Sequence, residues 1–327
     1  MMGHFFLQMC LLTVMIIWAV LGVSTSNSLH ENIVTLMDNV VVLRVPQIKG
    51  SRVSVLLTCG QAYENAPVFW KKNGLKIEDP KQGNQIQVEV EEAQGGNFTC
   101  HQAPSGVYLN HTVVFVQLDS DTRPSILVES VPGEGYIHCS APNYEGSFRC
   151  TWKRDQSRSK ATVLLVKSDR NTEKIRCDLD ADGSGILCHD ENCSFKEEQQ
   201  RVSLIVYIYN SYLLEGYTKT FYLREIAKPG KLPNLRISGN VSSWDYPALW
   251  SKPCTFFSLQ FQVKVVQHGR SCNIDEHIVL SVTDKPQYEI PIKSRRYTFC
   301  VRAQDKFTEG PWSHWSHCKV NKSQVTC

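Results

Sequence analysis

The sequence predicts an all-β chain of consecutive sandwiches. It carries short runs of alternating apolar and polar residues, one Cys–Trp–Cys spacing in its first third, and paired cysteines with ten residues between them in its middle third. Alternation with a period of two puts Val53, Val55, Leu57 and Cys59 on one face of a strand, and Ile86, Val88 and Val90 on one face of another. Between them Trp70 follows Cys59 by eleven residues and precedes Cys100 by thirty. That is the spacing of a sandwich whose indole packs on a disulfide joining its two sheets, an immunoglobulin-like arrangement. Phe98 stands two residues before Cys100, where a tyrosine would make a corner hydrogen bond, so that bond is expected to be missing.

In the middle of the chain Cys139, Cys150 and Trp152 form C-x10-C-x-W, and Cys177 and Cys188 repeat the ten-residue interval. A short loop closed by a cross-strand disulfide costs little to form and pins two neighbouring strands. Residues 162–166 and 204–209 supply further strands, and residues 221–224 close the unit. Residues 226–233 then hold two prolines, each lacking a donor and biasing its predecessor towards extended geometry, so a linker is expected there. Beyond it, alternation in residues 296–305 turns Tyr297, Phe299, Val301 and Ala303 to the core, and Arg296, Thr298, Arg302 and Gln304 outward.

The first 26 residues contain no charged side chain, and residues 5–23 are almost continuously apolar, which predicts a secretory signal peptide cut between residues 23 and 27. No later segment reaches membrane-spanning length, so neither a transmembrane anchor nor a lipid anchor is expected. Of thirteen cysteines only Cys10 lies in the signal, and the density of the rest points to an oxidising, extracellular compartment. Sequons at Asn97, Asn110, Asn192, Asn240 and Asn321 fit a secreted glycoprotein. A net charge of +3 spread along the chain argues against a nucleic-acid partner.

Enzymatic chemistry finds no constellation. Residues 182–185 lack the context of a serine nucleophile and are expected to form a turn. Cys188 and Cys193, beside His189 and Asp190, have no second ligand pair at zinc spacing, and no phosphate-binding glycine loop is present. No metal, cofactor or catalytic residue is therefore assigned. Basic clusters at residues 153–160 and 293–296 are taken as solvated faces.

Near the C-terminus Trp312, Ser313, His314, Trp315 and Ser316 form a Trp-Ser-x-Trp-Ser box, after a strand bearing the outward Arg302. Indoles three residues apart on an extended segment can stack with guanidinium and ammonium groups, each contact worth roughly 0.5–2 kcal/mol. With the C-x10-C-x-W pair upstream, the box resembles the signature of class I cytokine receptors. The resemblance implies two fibronectin type III modules, and Trp312 as a C-mannosylation site. The full expectation is a signal peptide at residues 1–26, an immunoglobulin-like domain at 27–120, and fibronectin type III domains at 121–227 and 228–327.

From about residue 39 onward the chain is similar to the interleukin-12 beta-subunit family, most closely in residues 139–150, 221–229, 244–247, 256–259 and 301–305. That resemblance implies a secreted subunit whose elbow between the two fibronectin modules grips a four-helix alpha subunit of interleukin-12 or interleukin-23 type and presents it to a cell-surface receptor. It also implies that Cys193 makes the interchain disulfide. Pairing of Cys193 within its own chain is the alternative, and its position inside the Asn192 sequon lets a glycan hinder the bond. Glu197, Phe256 and Asp305 match the alpha-subunit contact, with Asp305 receiving a partner arginine. Burying that pair would make loss of either charge costly. In the last domain Cys300 with Cys318 is the preferred pair, on adjacent strands; Cys254, Cys272 and Cys327 stay unassigned. A second copy of the chain is a further candidate partner. A soluble receptor or decoy binding a helical cytokine reversibly is the alternative function.

Overall fold

The computed structural model describes residues 32–46, 50–78, 83–91, 94–118, 124–191, 198–250, 257–322 and 324–327. The chain is nearly all β, as its alternation predicts, and forms two compact units. The first is Met1–Pro124 together with Tyr209–Glu215, and the second is Ser125–Ile208 with Gly216–Cys327.

In the first unit, strand Val40–Val45 runs parallel to Tyr108–Leu118, which pairs antiparallel with Gly96–Gln102 and through it with Val68–Lys72. The facing sheet pairs Arg52–Thr58 with Gln85–Glu91, Val55 opposite Val88 and Leu57 opposite Ile86. Inward residues of both sheets make one core containing Leu43, Val53, Val55, Leu57, Trp70, Ile86, Val90 and Phe98. The Cys59–Cys100 disulfide joins the sheets, with a Cα separation of 5.9 Å. Trp70 lies opposite Cys100 in the ladder, on the same face, and donates its indole N–H to the Gly83 carbonyl at 3.1 Å. Phe98 is buried, and the Lys72 ammonium stands over its ring at 5.5 Å. Burial pulls the Lys72 pKa below its ordinary value, while donation to the Gln94 carbonyl at 2.7 Å favours the ammonium form.

The second unit begins with the sheet Ile137–Ser140, Ser147–Arg154, Gly185–His189 and Arg176–Leu179. Cys139 faces Cys150 in one ladder and Cys177 faces Cys188 in another, each pair bonded at a Cα separation of 4.0 Å. A second layer holds Thr162–Arg170, Val202–Asn210 and Leu213–Phe221. Val202, Leu204, Val206 and Ile208, alternate residues of one strand, all turn into the core.

Residues 226–233 are built into this unit. Ala141 donates to the Ile226 carbonyl at 2.9 Å, Lys228 donates back to the Ala141 carbonyl at 2.7 Å, and Ala227 and Leu232 are buried. The preceding strand already ends at Phe221 and the helix Leu223–Ile226 follows it, so the prolines do not end a ladder, and the segment expected to be a linker is packed. After it, strands Val279–Thr283, Leu259–Gln267, Arg296–Asp305, Ser316–Asn321 and Gln324–Thr326 form a five-stranded sheet, and Arg236–Ser238, Val241–Ser243 and Gln287–Glu289 a three-stranded one. Tyr297, Phe299, Val301 and Ala303 are buried with Trp244, Phe261 and Val263, the inward set read from the sequence.

The preferred Cys300–Cys318 pair is corrected. Cys300 bonds Cys272, and Cys318 bonds Cys327. Within the ladder Cys300 faces His317 while Cys318 faces Phe299. A one-residue offset on adjacent strands sends the two sulfurs to opposite faces of the sheet, so being on neighbouring strands is not sufficient. Cys254 lies outside the described residues.

Candidate binding site

Two arrangements in the second unit carry the residues singled out in the sequence. The first centres on Asp305, the last residue of strand Arg296–Asp305. Its carboxylate is buried, 2 % exposed. Oδ1 accepts from the backbone N–H of Phe307 at 2.7 Å and of Thr308 at 3.0 Å, which fixes the following turn. Oδ2 accepts from the Tyr144 hydroxyl at 3.0 Å, and that hydroxyl lies 3.0 Å from Thr308 Oγ1. Tyr144 stacks on Phe257 at 5.5 Å and meets Trp250 edge-on at 5.8 Å. Burial pushes the Tyr144 pKa well above its ordinary value, with the Asp305 charge adding to the shift, so the hydroxyl stays a donor.

Cys193, Asn192, Glu197 and Phe256 lie outside the described residues. The residues flanking 192–197 are clamped. Arg170, at the end of strand Thr162–Arg170, donates to Asp190 Oδ2 at 2.7 Å, Glu198 Oε1 at 2.9 Å and the Gln200 carbonyl at 2.7 Å. Glu198 also accepts from the backbone N–H of Leu223 and Arg224, which begin the short helix Leu223–Ile226. All three charged side chains are buried. Such a triad tolerates its desolvation because nearly every polar position is used, and removing one member strands the others.

The second arrangement is the Trp-Ser-x-Trp-Ser box. The Arg302 guanidinium lies 4.8 Å from the Trp312 ring centre and 4.5 Å from that of Trp315, between the two indoles. Its Nε donates to Gln262 Oε1 at 2.9 Å on the next strand. Lys264 stands over Trp315 at 6.0 Å and donates to the Ile274 carbonyl. Burial lowers the Arg302 pKa, the mark of a partly dry cation for which ring contacts are worth most. The serines lock the segment. Ser313 exchanges two bonds with Ala303, its N–H donating to the carbonyl at 2.7 Å and its hydroxyl accepting from the N–H at 2.9 Å. The Ser316 hydroxyl donates to the Leu232 carbonyl at 2.9 Å.

Of the sequon asparagines, Asn240 and Asn321 are exposed, whereas Asn97 and Asn110 are half-buried. The Asn110 side-chain amide donates to the Cys59 carbonyl at 3.0 Å, so its nitrogen already serves the fold. Sequence reasoning passed over Arg170, Asp190, Glu198 and Tyr144. Arg170 gave a weak signal: it shares alternation parity with Leu164 and Val166, but also with Thr162 and Ser168, so its burial could not be read from the pattern alone. Tyr144 gave none beyond being an aromatic in a short Gly- and Pro-containing loop.

A family model described as the cytokine interleukin-12p40 C-terminus matches residues 134–210. Interleukin-12 subunit beta of Sigmodon hispidus is 28% identical over 301 residues, covering 84% of this chain and 88% of the relative. The human protein of the same name is 28% identical over 289 residues, covering 80% and 85% respectively. That of Felis catus is 29% identical over 290 residues, covering 80% and 85%. The chain is similar to interleukin-12 subunit beta over most of both lengths. The matched family model is that of a cytokine, and interleukin-12 subunit beta is not an enzyme. Among the described residues no helix is long and apolar enough to cross a membrane.

Proposed function

We propose that the chain is the secreted beta subunit of a heterodimeric cytokine. In this reading an immunoglobulin-like domain at residues 27–120 precedes fibronectin type III domains at 121–227 and 228–327. The second and third domains grip a four-helix alpha subunit, and the assembly presents it to a cell-surface receptor. The observation that carries the proposal is the likeness to interleukin-12 subunit beta over most of both chains. Cys193 supplies the interchain disulfide, and the Arg170 clamp on Asp190 and Glu198 gives the segment that carries it fixed ends. Glu197, Phe256 and Asp305 contribute to the alpha-subunit contact. Asp305 acts there with Tyr144, which already holds one of its oxygens.

Co-secretion with an interleukin-12-type or interleukin-23-type alpha chain tests this directly. A heterodimer band on a non-reducing gel is expected, and Cys193→Ser should reduce it to monomer-sized bands. An undiminished band in that variant would remove Cys193 from the role. In the Cys193→Ser background, Asp305→Ala should weaken non-covalent pairing at least tenfold in a titration, because a partner arginine would lose its buried counter-ion. Secretion of the chain alone, followed by reversible capture of a free helical cytokine, would replace the proposal with a soluble receptor.

A further inference from the structure

The five disulfides of the described residues differ in how open they are to solvent. Cys327 is exposed, whereas every other cysteine bonded among those residues is buried or half-buried. Its partner Cys318 is fully buried, so the bond runs from the inside of the sandwich to its surface. Strand Gln324–Thr326, next to Cys327, lies at the edge of the five-stranded sheet, pairs only with Ser316–Asn321, and has all three residues exposed. The bond spans only 9 residues, the shortest separation of the five, so it lends the least loop-closure stability. By contrast Cys59–Cys100 and Cys272–Cys300 are buried at both ends.

Cys327 also lines a groove of ≈ 350 Å³, with Lys231, Leu232, Asn234, Trp315 and His317 around it. Its walls are preset: the Ser316 hydroxyl donates to the Leu232 carbonyl at 2.9 Å, and the Arg302 guanidinium lies 4.5 Å from the Trp315 ring centre. Lys231 is exposed and forms no ion pair among the described residues, so its ammonium is available to an incoming carboxylate. Thiolates attack a disulfide at a sulfur they can reach, and exposed disulfides are the labile ones.

We propose that Cys318–Cys327 is an exchangeable disulfide and that the groove beside it admits a small anionic thiol of the glutathione class, which modifies Cys327. The incoming thiolate forms a new S–S bond to Cys327 Sγ, and the electron pair of the old bond leaves with Cys318 Sγ. Cys318 takes a proton from water, and the thiol so formed can donate to the Leu235 carbonyl oxygen, 3.9 Å away. One disulfide replaces another, the incoming sulfur being oxidised as Cys318 is reduced, and attack of the Cys318 thiol on the mixed disulfide reverses the step. Opening leaves Gln324–Thr326 held only by its ladder to Ser316–Asn321, so that strand frays from the sheet edge. The inference does not depend on the heterodimer, since every residue it uses belongs to this chain.

The test is exposure of the full chain, its free thiols first blocked, to reduced glutathione under native conditions, followed by alkylation, digestion without reduction and mass spectrometry. Glutathione on Cys327 and an alkyl group on Cys318 are expected about tenfold sooner than the opening of any other disulfide, at a rate linear in glutathione. Hydrogen exchange should then show protection lost in Gln324–Thr326 and kept in Arg296–Asp305. Lys231→Gln should slow the reaction with glutathione about threefold and leave that with uncharged mercaptoethanol unchanged, since only glutathione brings carboxylates to the ammonium. Glutathione found on Cys318 instead, another disulfide opening as fast, or a rate that saturates because unfolding limits it would overturn the proposal. So would the same response to both thiols in the Lys231 variant, which would refute the groove as the place of entry.

Discussion

Trp70 in the first unit and the Trp312–Trp315 pair in the second use the same side chain in opposite ways. Trp70 is 3 % exposed, turned inward against a disulfide that joins two sheets, and its one polar atom is satisfied by a backbone carbonyl. The paired indoles lie half-exposed on the outer face of a sheet and hold a guanidinium between them. The inward indole stabilises through area removed from water and close packing. The outward pair stabilises through cation–π contacts and through serine bonds that fix the segment against residues 232 and 303. Burial makes a tryptophan expensive to remove, and a ladder makes its arginine the sensitive member.

That contrast can be broken experimentally, beginning with the largest effect. Trp70→Ala should cost about 3–5 kcal/mol, the range for deleting a buried aromatic, and abolish hydrogen-exchange protection in strands Val68–Lys72 and Gly96–Gln102 while leaving the second unit's strands protected. Loss of protection throughout the chain would show that the two units do not unfold independently. Replacing Cys59 and Cys100 together by alanine should cost about 4 kcal/mol, because the bond spans 41 residues. Replacing Cys318 and Cys327 together spans only 9 residues and should cost at most about 2.5 kcal/mol. Urea unfolding of the two double variants checks the order, and a reversal would mean that native packing outweighs loop closure. Arg302→Ala should cost about 1–3 kcal/mol from two ring contacts, and Arg302→Lys about half as much, since an ammonium keeps charge but cannot lie flat between two rings. Equal losses in the alanine and lysine variants would assign the ladder's stability to guanidinium stacking alone.

Much of the fold was legible because strands announce themselves by parity. The inward set Tyr297, Phe299, Val301 and Ala303, and the outward Arg302, follow from alternation alone. The Cys139–Cys150 and Cys177–Cys188 bonds follow from short spacing, since two strands joined by a tight turn bring such cysteines face to face. The segment read as a linker was not legible as packed structure, because its burial depends on a bridge from Ala227 to Ala141, more than eighty residues away. The site divided in the same manner: the Trp-Ser-x-Trp-Ser box is a local pattern, whereas the Tyr144–Asp305 bond spans 161 residues.

The sequence by itself determined the class of the fold, the inward and outward faces of its strands, and the local crosslinks, because each depends on neighbours within one strand or one turn. Only the tertiary structure decided that Cys300 bonds Cys272 and that Arg170 clamps two distant carboxylates. Those outcomes depend on which strands become neighbours and with what register, and a shift of one residue in register turns every side chain to the other face.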